Sequence, residues 1–426
     1  MTGTARMVVT LGVFAAMLVL MLLRPRRRSE AWWTMLAAIA MLALGLVTPH
    51  QALAVVLSGK NTLLFLLSLL ALSQLIGKSG FFDWAAIRCA GIARGDGHSL
   101  YRNAFVVGAI ITAILSLDTT AVMLTPVMLA LVKRLKVPAA PYVLLCAFVA
   151  NVGSLLLPIS NLTNLLFADA FHQTFAAFAA RMILPQIVAL VTTYAILRWH
   201  FRRDLPSVFS TKSLPDPASV VPNHPYFLVC ITVLVAVLVG YFLAPLLGLE
   251  PYVFAFAACA VLLFAGMANG RVHIRFVREI AWDLFPFVIG LFIAVQGLEN
   301  LGIVGVSSRW LAEMSPGTPQ MLLATAGATA FASNIVNNLP AALIARSVLL
   351  SAHAHTGTVL AALIGSNAGP MITTFGSLAT MLVLALARRD GEEVHTGQLV
   401  LLGLWAVPVI VVLTALSLSL TFAMVQ

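Results

Sequence analysis

Charge is what this sequence has least of. Of its 426 residues only 15 are acidic and 25 basic, 9% together, against about a quarter in an ordinary soluble domain. With 61% of the residues apolar, so few charges cannot cover a soluble surface, and a single soluble core stops growing near about 250–300 residues. Soluble globular and disordered classes are excluded. Cysteine is scarce too. Cys89, Cys146, Cys230 and Cys259 stand far apart, so neither a zinc motif nor a disulfide framework is implied. No nucleophile–base pair and no His pair at metal-ligand spacing is evident. Gly77-Lys78-Ser79 ends like a phosphate loop, but position 72 is Leu where that loop needs Gly. No enzyme, metal or cofactor is therefore expected. The signal-peptide order is missing as well, because the basic run Arg24–Arg28 follows the apolar run Met7–Leu23 instead of preceding it.

What the chain does have is long, continuous apolar runs, near 7–23, 31–49, 61–77, 139–170, 182–197, 225–245, 252–269, 284–300, 357–387 and 398–424. Runs of about 20 residues suit membrane-crossing helices, and their continuity excludes a barrel of alternating strands. The expected fold is an all-α polytopic membrane protein. The net charge of +10 does not point to nucleic acid, because the basic residues sit in short loops between apolar runs. Twenty Lys/Arg fall in Arg24–Arg28, Lys78–Arg102, Lys133–Lys136, Arg198–Lys212, Arg271–Arg278 and Arg388–Arg389, and five (Arg6, Lys60, Arg181, Arg309, Arg346) elsewhere. The positive-inside rule assigns the first set to the cytoplasm and both termini to the outside.

Two further stretches, 103–132 and 318–350, are interrupted by polar residues. Basic clusters flank the first on one side of the membrane, so it reads as a re-entrant hairpin with its tip near Asp118. The second reads as a hairpin from outside with its tip near Asn337. The chain then divides into residues 1–199, a cytoplasmic linker 200–223 with four prolines, and residues 224–426. Each half holds five spans and one hairpin, about ten spans and two hairpins in all. Asp118-Thr119-Thr120 aligns with Asn337-Asn338, Gly153-Ser154-x-x-x-Pro158 with Gly365-Ser366-x-x-x-Pro370, and Asn161-Leu162-Thr163-Asn164 with Ser377-Leu378-Ala379-Thr380. Inverted repeats with paired interrupted helices mark secondary transporters whose substrate binds at midplane.

Pro158 and Pro370 each remove a backbone donor and split a span into half-helices, and broken backbone at membrane depth persists only where protein or water satisfies it. Asp118 is the acid placed at the centre of a membrane segment, a proton-coupling candidate; the alternative is a cap on the second hairpin helix. Thr119, Thr120, Ser160, Asn161, Asn164, Asn337, Asn338, Thr373, Ser377 and Thr380 cluster at the breaks as candidate substrate-binding groups. Phe81-Phe82-Asp83-Trp84 followed by Arg88 reads as an interfacial amphipathic helix.

Ser79-Gly80-Phe81-Phe82-Asp83-Trp84-Ala85-Ala86, Leu124-Thr125-Pro126, Ser160-Asn161-Leu162, Asn337-Asn338-Leu339-Pro340, Gly376-Ser377-Leu378-Ala379-Thr380 and Phe201-Arg202-Arg203-Asp204-Leu205-Pro206 resemble the arsenical pump membrane protein (ArsB) family along nearly the whole chain. The resemblance implies export of trivalent arsenite and antimonite, driven by the proton or charge gradient, in some members with a soluble ATPase partner, ArsA. It also implies acids where this chain has Asn151 and Asn367, and a base where it has Met371; both amides join the candidate substrate-binding set. At neutral pH arsenite is mainly the uncharged trihydroxide, whose hydroxyls suit Asn, Ser and Thr. The alternative is a cation/proton antiporter of the wider ion transporter superfamily, whose site would favour several carboxylates.

Overall fold

A computed structural model describes residues 3–23, 29–312 and 317–425. The basic cluster Arg24–Arg28 lies outside the described residues. In chain order the α-helices are α1 (Gly3–Leu23), α2 (Glu30–Ala43), α3 (Pro49–Ser58), α4 (Lys60–Gly77), α5 (Phe81–Ile92) and α6 (Gly97–Ile114). There follow α7 (Leu117–Thr119), a π-turn over Thr120–Leu124, α8 (Thr125–Leu135), α9 (Ala140–Val152), α10 (Leu162–Ala170) and α11 (Phe175–His200). The remainder comprises α12 (His224–Leu247), α13 (Pro251–Ala268), α14 (Leu284–Glu299), α15 (Ile303–Ala312), α16 (Pro319–Val336), α17 (Asn338–Ser351), α18 (Thr356–Ala368), α19 (Leu378–Arg389) and α20 (Thr396–Val425). Among the described residues seven segments are long and apolar enough to cross a bilayer alone. The fold is an all-α polytopic membrane protein.

Both interrupted stretches fold back on themselves. The start of α6 meets the start of α9, where Tyr101 donates to the Pro141 carbonyl (3.4 Å) and stacks edge-on against Tyr142 (5.4 Å). Because α9 begins directly after α8, the two arms of this hairpin open on one face. Likewise the start of α16 meets the start of α18, where the Thr358 hydroxyl reaches the Met321 sulfur at 3.6 Å, and α18 directly follows α17. The first tip differs from the expectation. It turns at Leu115–Ser116, Ser116 caps the next helix by accepting from the Thr119 N–H (3.1 Å), and Asp118 lies inside the first turn. Ser116 therefore does the capping that the sequence offered to Asp118. The second arm then passes through a π-turn just before Pro126, whose missing N–H cannot close a regular turn. The second tip is Asn337 itself, in the left-handed region at φ 76°. The apolar run 31–49 is also divided: α2 ends at Ala43 and Thr48 caps α3 in a reciprocal box with Gln51.

Among the described residues the basic segments meet on one face. Lys78 pairs with Glu279 (2.6 Å), Lys133 with Asp390 (2.8 Å), the Ser213 hydroxyl reaches the Arg134 carbonyl (3.3 Å), and the Phe209 N–H reaches the Gly95 carbonyl (2.8 Å). On the opposite face Arg6 donates to the Leu46 carbonyl (3.1 Å) and Gln51 to Asn300 (3.2 Å).

The burial pattern is that of a protein solvated by lipid. Leu246, Phe264, Phe331 and Leu401 are exposed while Asn151, Ser154, Asn164, Ser366 and Asn367 are fully buried. Close helix contact is bought with small residues: a Cβ on Gly365 would come within 2.1 Å of the Ala326 carbonyl, so only glycine lets α18 lie against α16.

Candidate functional site

Four half-helices begin at the centre of the fold, and each begins because the backbone before it is extended or turned. Leu157, the residue before Pro158, is forced into the extended region (φ −124°, ψ 152°). Asn161 is extended too and caps α10 through the Thr163 N–H (3.1 Å). Ser377 (φ −133°) precedes α19, Asn337 precedes α17 and accepts from the Leu339 N–H (3.3 Å), and Ser116 precedes α7. The first residues of these four helices, Leu117, Leu162, Asn338 and Leu378, all line one cavity of about 40 Å³. That is room for about three waters. Its polar lining is Asp118, Asn161, Thr163, Asn337 and Asn338, closed by Leu66, Leu284 and Phe287 among other apolar groups.

Helix N-termini present unpaired N–H groups and a partial positive charge of roughly half a unit each. Four of them meet around one cavity, an environment unfavourable to a cation. Asp118 is half-buried and makes no hydrogen bond or ion pair among the described residues. Asn338 donates its backbone N–H to the Gly376 carbonyl (2.8 Å), and the Asn337 amide donates to the Phe375 carbonyl (2.7 Å), tying the second tip to the second break.

The remaining candidates lie behind this lining and hold the breaks in shape. Asn367, on α18, accepts from the Asn161 amide (3.0 Å) and the Thr163 hydroxyl (2.7 Å) and donates to the Asn164 oxygen (2.5 Å). Asn164 in turn donates to the Ser154 and Leu157 carbonyls (2.7 and 3.0 Å), and Ser160 to the Ala113 carbonyl (2.7 Å). Thr119 pairs with Ser73 and Thr120 with Thr112, both at 2.7 Å, fixing the first tip to α4 and α6. Asn151, on α9, donates to the Thr380 hydroxyl (3.0 Å). Asn367 stands 216 residues after Asn151, and Thr380 stands 216 after Asn164, so the two amide contacts between halves correspond. They are not equally complete. In the second contact Asn161 donates to Asn367, but its counterpart 216 residues on is the shorter Ser377. The Ser377 hydroxyl and the Asn151 oxygen are both buried without a partner.

Two organising residues had been missed in the sequence. Asn334 accepts from the Ile372 and Thr373 N–H groups (both 3.1 Å) and donates to the Gly369 carbonyl (2.8 Å), so Thr373 serves the loop and not the cavity. Gln186 accepts from the Leu155 N–H (2.9 Å) and donates to the Val152 carbonyl (3.0 Å). The available signal was a lone amide within an apolar helix, next to Pro185 in the case of Gln186.

This geometry has known relatives. The solved structure of the Alcanivorax borkumensis YdaH transporter is similar over 85% of each chain, with a TM-score of 0.57 at 17% identity, a likeness of fold. The arsenical pump membrane protein of Escherichia coli K12 is 29% identical over 97% of this chain and 99% of its own length. That of Yersinia enterocolitica is 30% identical over 96% of this chain and 98% of its own length. An uncharacterised transporter of Mycobacterium tuberculosis is 24% identical over 97% of this chain and 98% of its own length. The arsenical pump membrane protein family matches residues 9–421, and the chain belongs to that family.

Proposed function

We propose that this chain exports trivalent arsenite and antimonite across the bacterial inner membrane, driven by the proton gradient through Asp118, with the basic face in the cytoplasm and both termini outside. The observation that carries the reading is the central cavity. The Asn338 amide and the Asp118 carboxyl, neither bonded among the described residues, can offer donors and acceptors to an uncharged trihydroxide. The shared offset of 216 residues supports two inverted halves, 1–199 and 224–426, about the linker 200–223. A cation/proton antiporter is the second reading. The converging N-termini and the single acid in the lining count against it, since a cation needs several oxygens of negative charge. A soluble ATPase partner, ArsA, would dock on the basic face.

The test is arsenite uptake into everted vesicles with and without an imposed proton gradient. Accumulation that depends on the gradient in the native protein and is lost in Asp118→Asn supports the proposal. Accumulation that ignores the gradient in both proteins removes Asp118 from coupling. Sodium-dependent proton movement without arsenite uptake favours the antiporter.

A further inference from the structure

Two water-facing crevices flank the central cavity, one on each face, and they are built alike. The crevice on the basic face, about 260 Å³, is lined by Gln74, Gly77, Phe82 and Asp83 from α4 and α5, with Met123 and Val127 from the first hairpin. The crevice on the opposite face, about 540 Å³, is lined by Gln296, Glu299, Val304 and Gly305 from α14 and α15, with Arg346 and Leu350 from the second hairpin. Each of Gln296, Glu299, Val304 and Gly305 stands 222 residues after its counterpart in the first crevice.

Each crevice shares its walls with the cavity. On α4, Leu66 lines the cavity and Gln74 the crevice, about 12 Å further along the helix. On α14, Phe287 lines the cavity and Gln296 the other crevice, about 14 Å along. The hairpins run alongside: Asp118 to Met123 on one face, Leu339 to Arg346 on the other. Along these walls on the basic face Ser73, next to Gln74, and Thr119, next to Asp118, share a 2.7 Å hydrogen bond, both buried, and the Thr119 hydroxyl also pairs with Ser116 (3.0 Å). The residue 222 positions after Ser73 is Val295, which has no hydroxyl to make such a bond. Each crevice holds charge of both signs, Lys78 with Asp83 and Glu279 on one face and Arg346 with Glu299 on the other.

We propose that these crevices are the two ends of the solute's route, that Gln74 and Gln296 line it as amide contacts for a neutral hydroxylated solute, and that the Ser73–Thr119 bond is the latch closing the route on the basic face. The choice of solute rests on the transport reading above; the route does not.

The experiment reads accessibility, so it stands even if arsenite is not the cargo. Single variants Gln74→Cys and Gln296→Cys are treated with a membrane-impermeant maleimide in right-side-out and everted vesicles, with the native protein as background for its four cysteines. Gln296→Cys should label only from the outside and Gln74→Cys only from the inside. Asn338→Cys reports the cavity. Adding Ser73→Ala should raise its labelling from the basic face about fivefold, the factor by which one net hydrogen bond shifts a two-state equilibrium. Thr119→Val, which removes this bond together with the Ser116 contact, should raise it at least as much. Labelling of both glutamine positions from one face overturns the route. Unchanged Asn338→Cys labelling in both latch variants overturns the latch.

Discussion

Asn151 and Asn367 occupy corresponding places, yet replacing each by leucine should have very different consequences. Asn367 is fully buried and bonds the side chains of Asn161, Thr163, Asn164 and, at 3.4 Å, Ser366, whose hydroxyl also has the Leu363 carbonyl. In Asn367→Leu the Thr163 hydroxyl can turn back to a helix carbonyl. The Asn161 amide is left with a 3.5 Å contact to Ser154, and the Asn164 oxygen loses its donor because its nitrogen stays with the Ser154 and Leu157 carbonyls. Two stranded groups at about 1–3 kcal/mol each give a loss of roughly 2–6 kcal/mol. Asn151 is different. Its oxygen is already unpartnered, and its nitrogen serves a helix carbonyl and the Thr380 hydroxyl. Asn151→Leu removes an uncompensated buried acceptor, so its net cost should be about 1 kcal/mol or less. Thermal unfolding of both variants in one detergent measures the difference. Asn367→Leu should melt several degrees below Asn151→Leu. Equal melting temperatures, or the reverse order, would refute the hydrogen-bond assignment and with it the asymmetry of the two contacts.

Three further outcomes follow from the same geometry. Ser377→Asn supplies the amide that Asn161 supplies in the other half; it should pair with the Asn151 oxygen and raise the melting temperature, and no gain would mean the two orphaned atoms do not face each other. Asn334→Ala unties the second break from the hairpin, so solute uptake should collapse together with a stability loss of about 3 kcal/mol or more; melting with uptake normal would limit Asn334 to packing. Asp96 caps α6, and hydrogen bonds from Ser99 hold its carboxyl below the usual carboxylate range. A lowered folded-state pKa means the stabilisation is present above the ordinary carboxylate value and is lost as pH falls through the lowered one. Asp96→Ala should therefore cost about 1 kcal/mol at neutral pH and progressively less in acid, read from melting curves at the two pH values.

The fold class was legible because its signal is physical and long-range: continuous apolar length sufficient for membrane-crossing helices. Local detail was less legible. A serine and an aspartate two residues apart are equally good caps, so composition could not place the first turn at Ser116 and not Asp118. Within the candidate site, the amides and hydroxyls all looked alike in sequence. Only three-dimensional contact separates Asn161, Asn337 and Asn338, which border the cavity, from Ser160, Asn164 and Thr373, which do not. Asn334 and Gln186 were invisible for the same reason, each being a single polar residue whose partner lies more than 30 positions away.

The convergence of N-termini bears on how a neutral cargo could be coupled to a gradient. A trihydroxide carries no charge, so the membrane potential exerts no net force on it, and the coupling charge must belong to the protein. On the proposed reading that charge is Asp118. The Ser73–Thr119 bond joins α4 to the residue next to Asp118, which makes the position of the carboxyl and the closure of the basic-face crevice one movement and not two. A latch placed one residue from the titrating group lets protonation and access change together, which is what coupling requires of a structure with a single acid in its cavity lining.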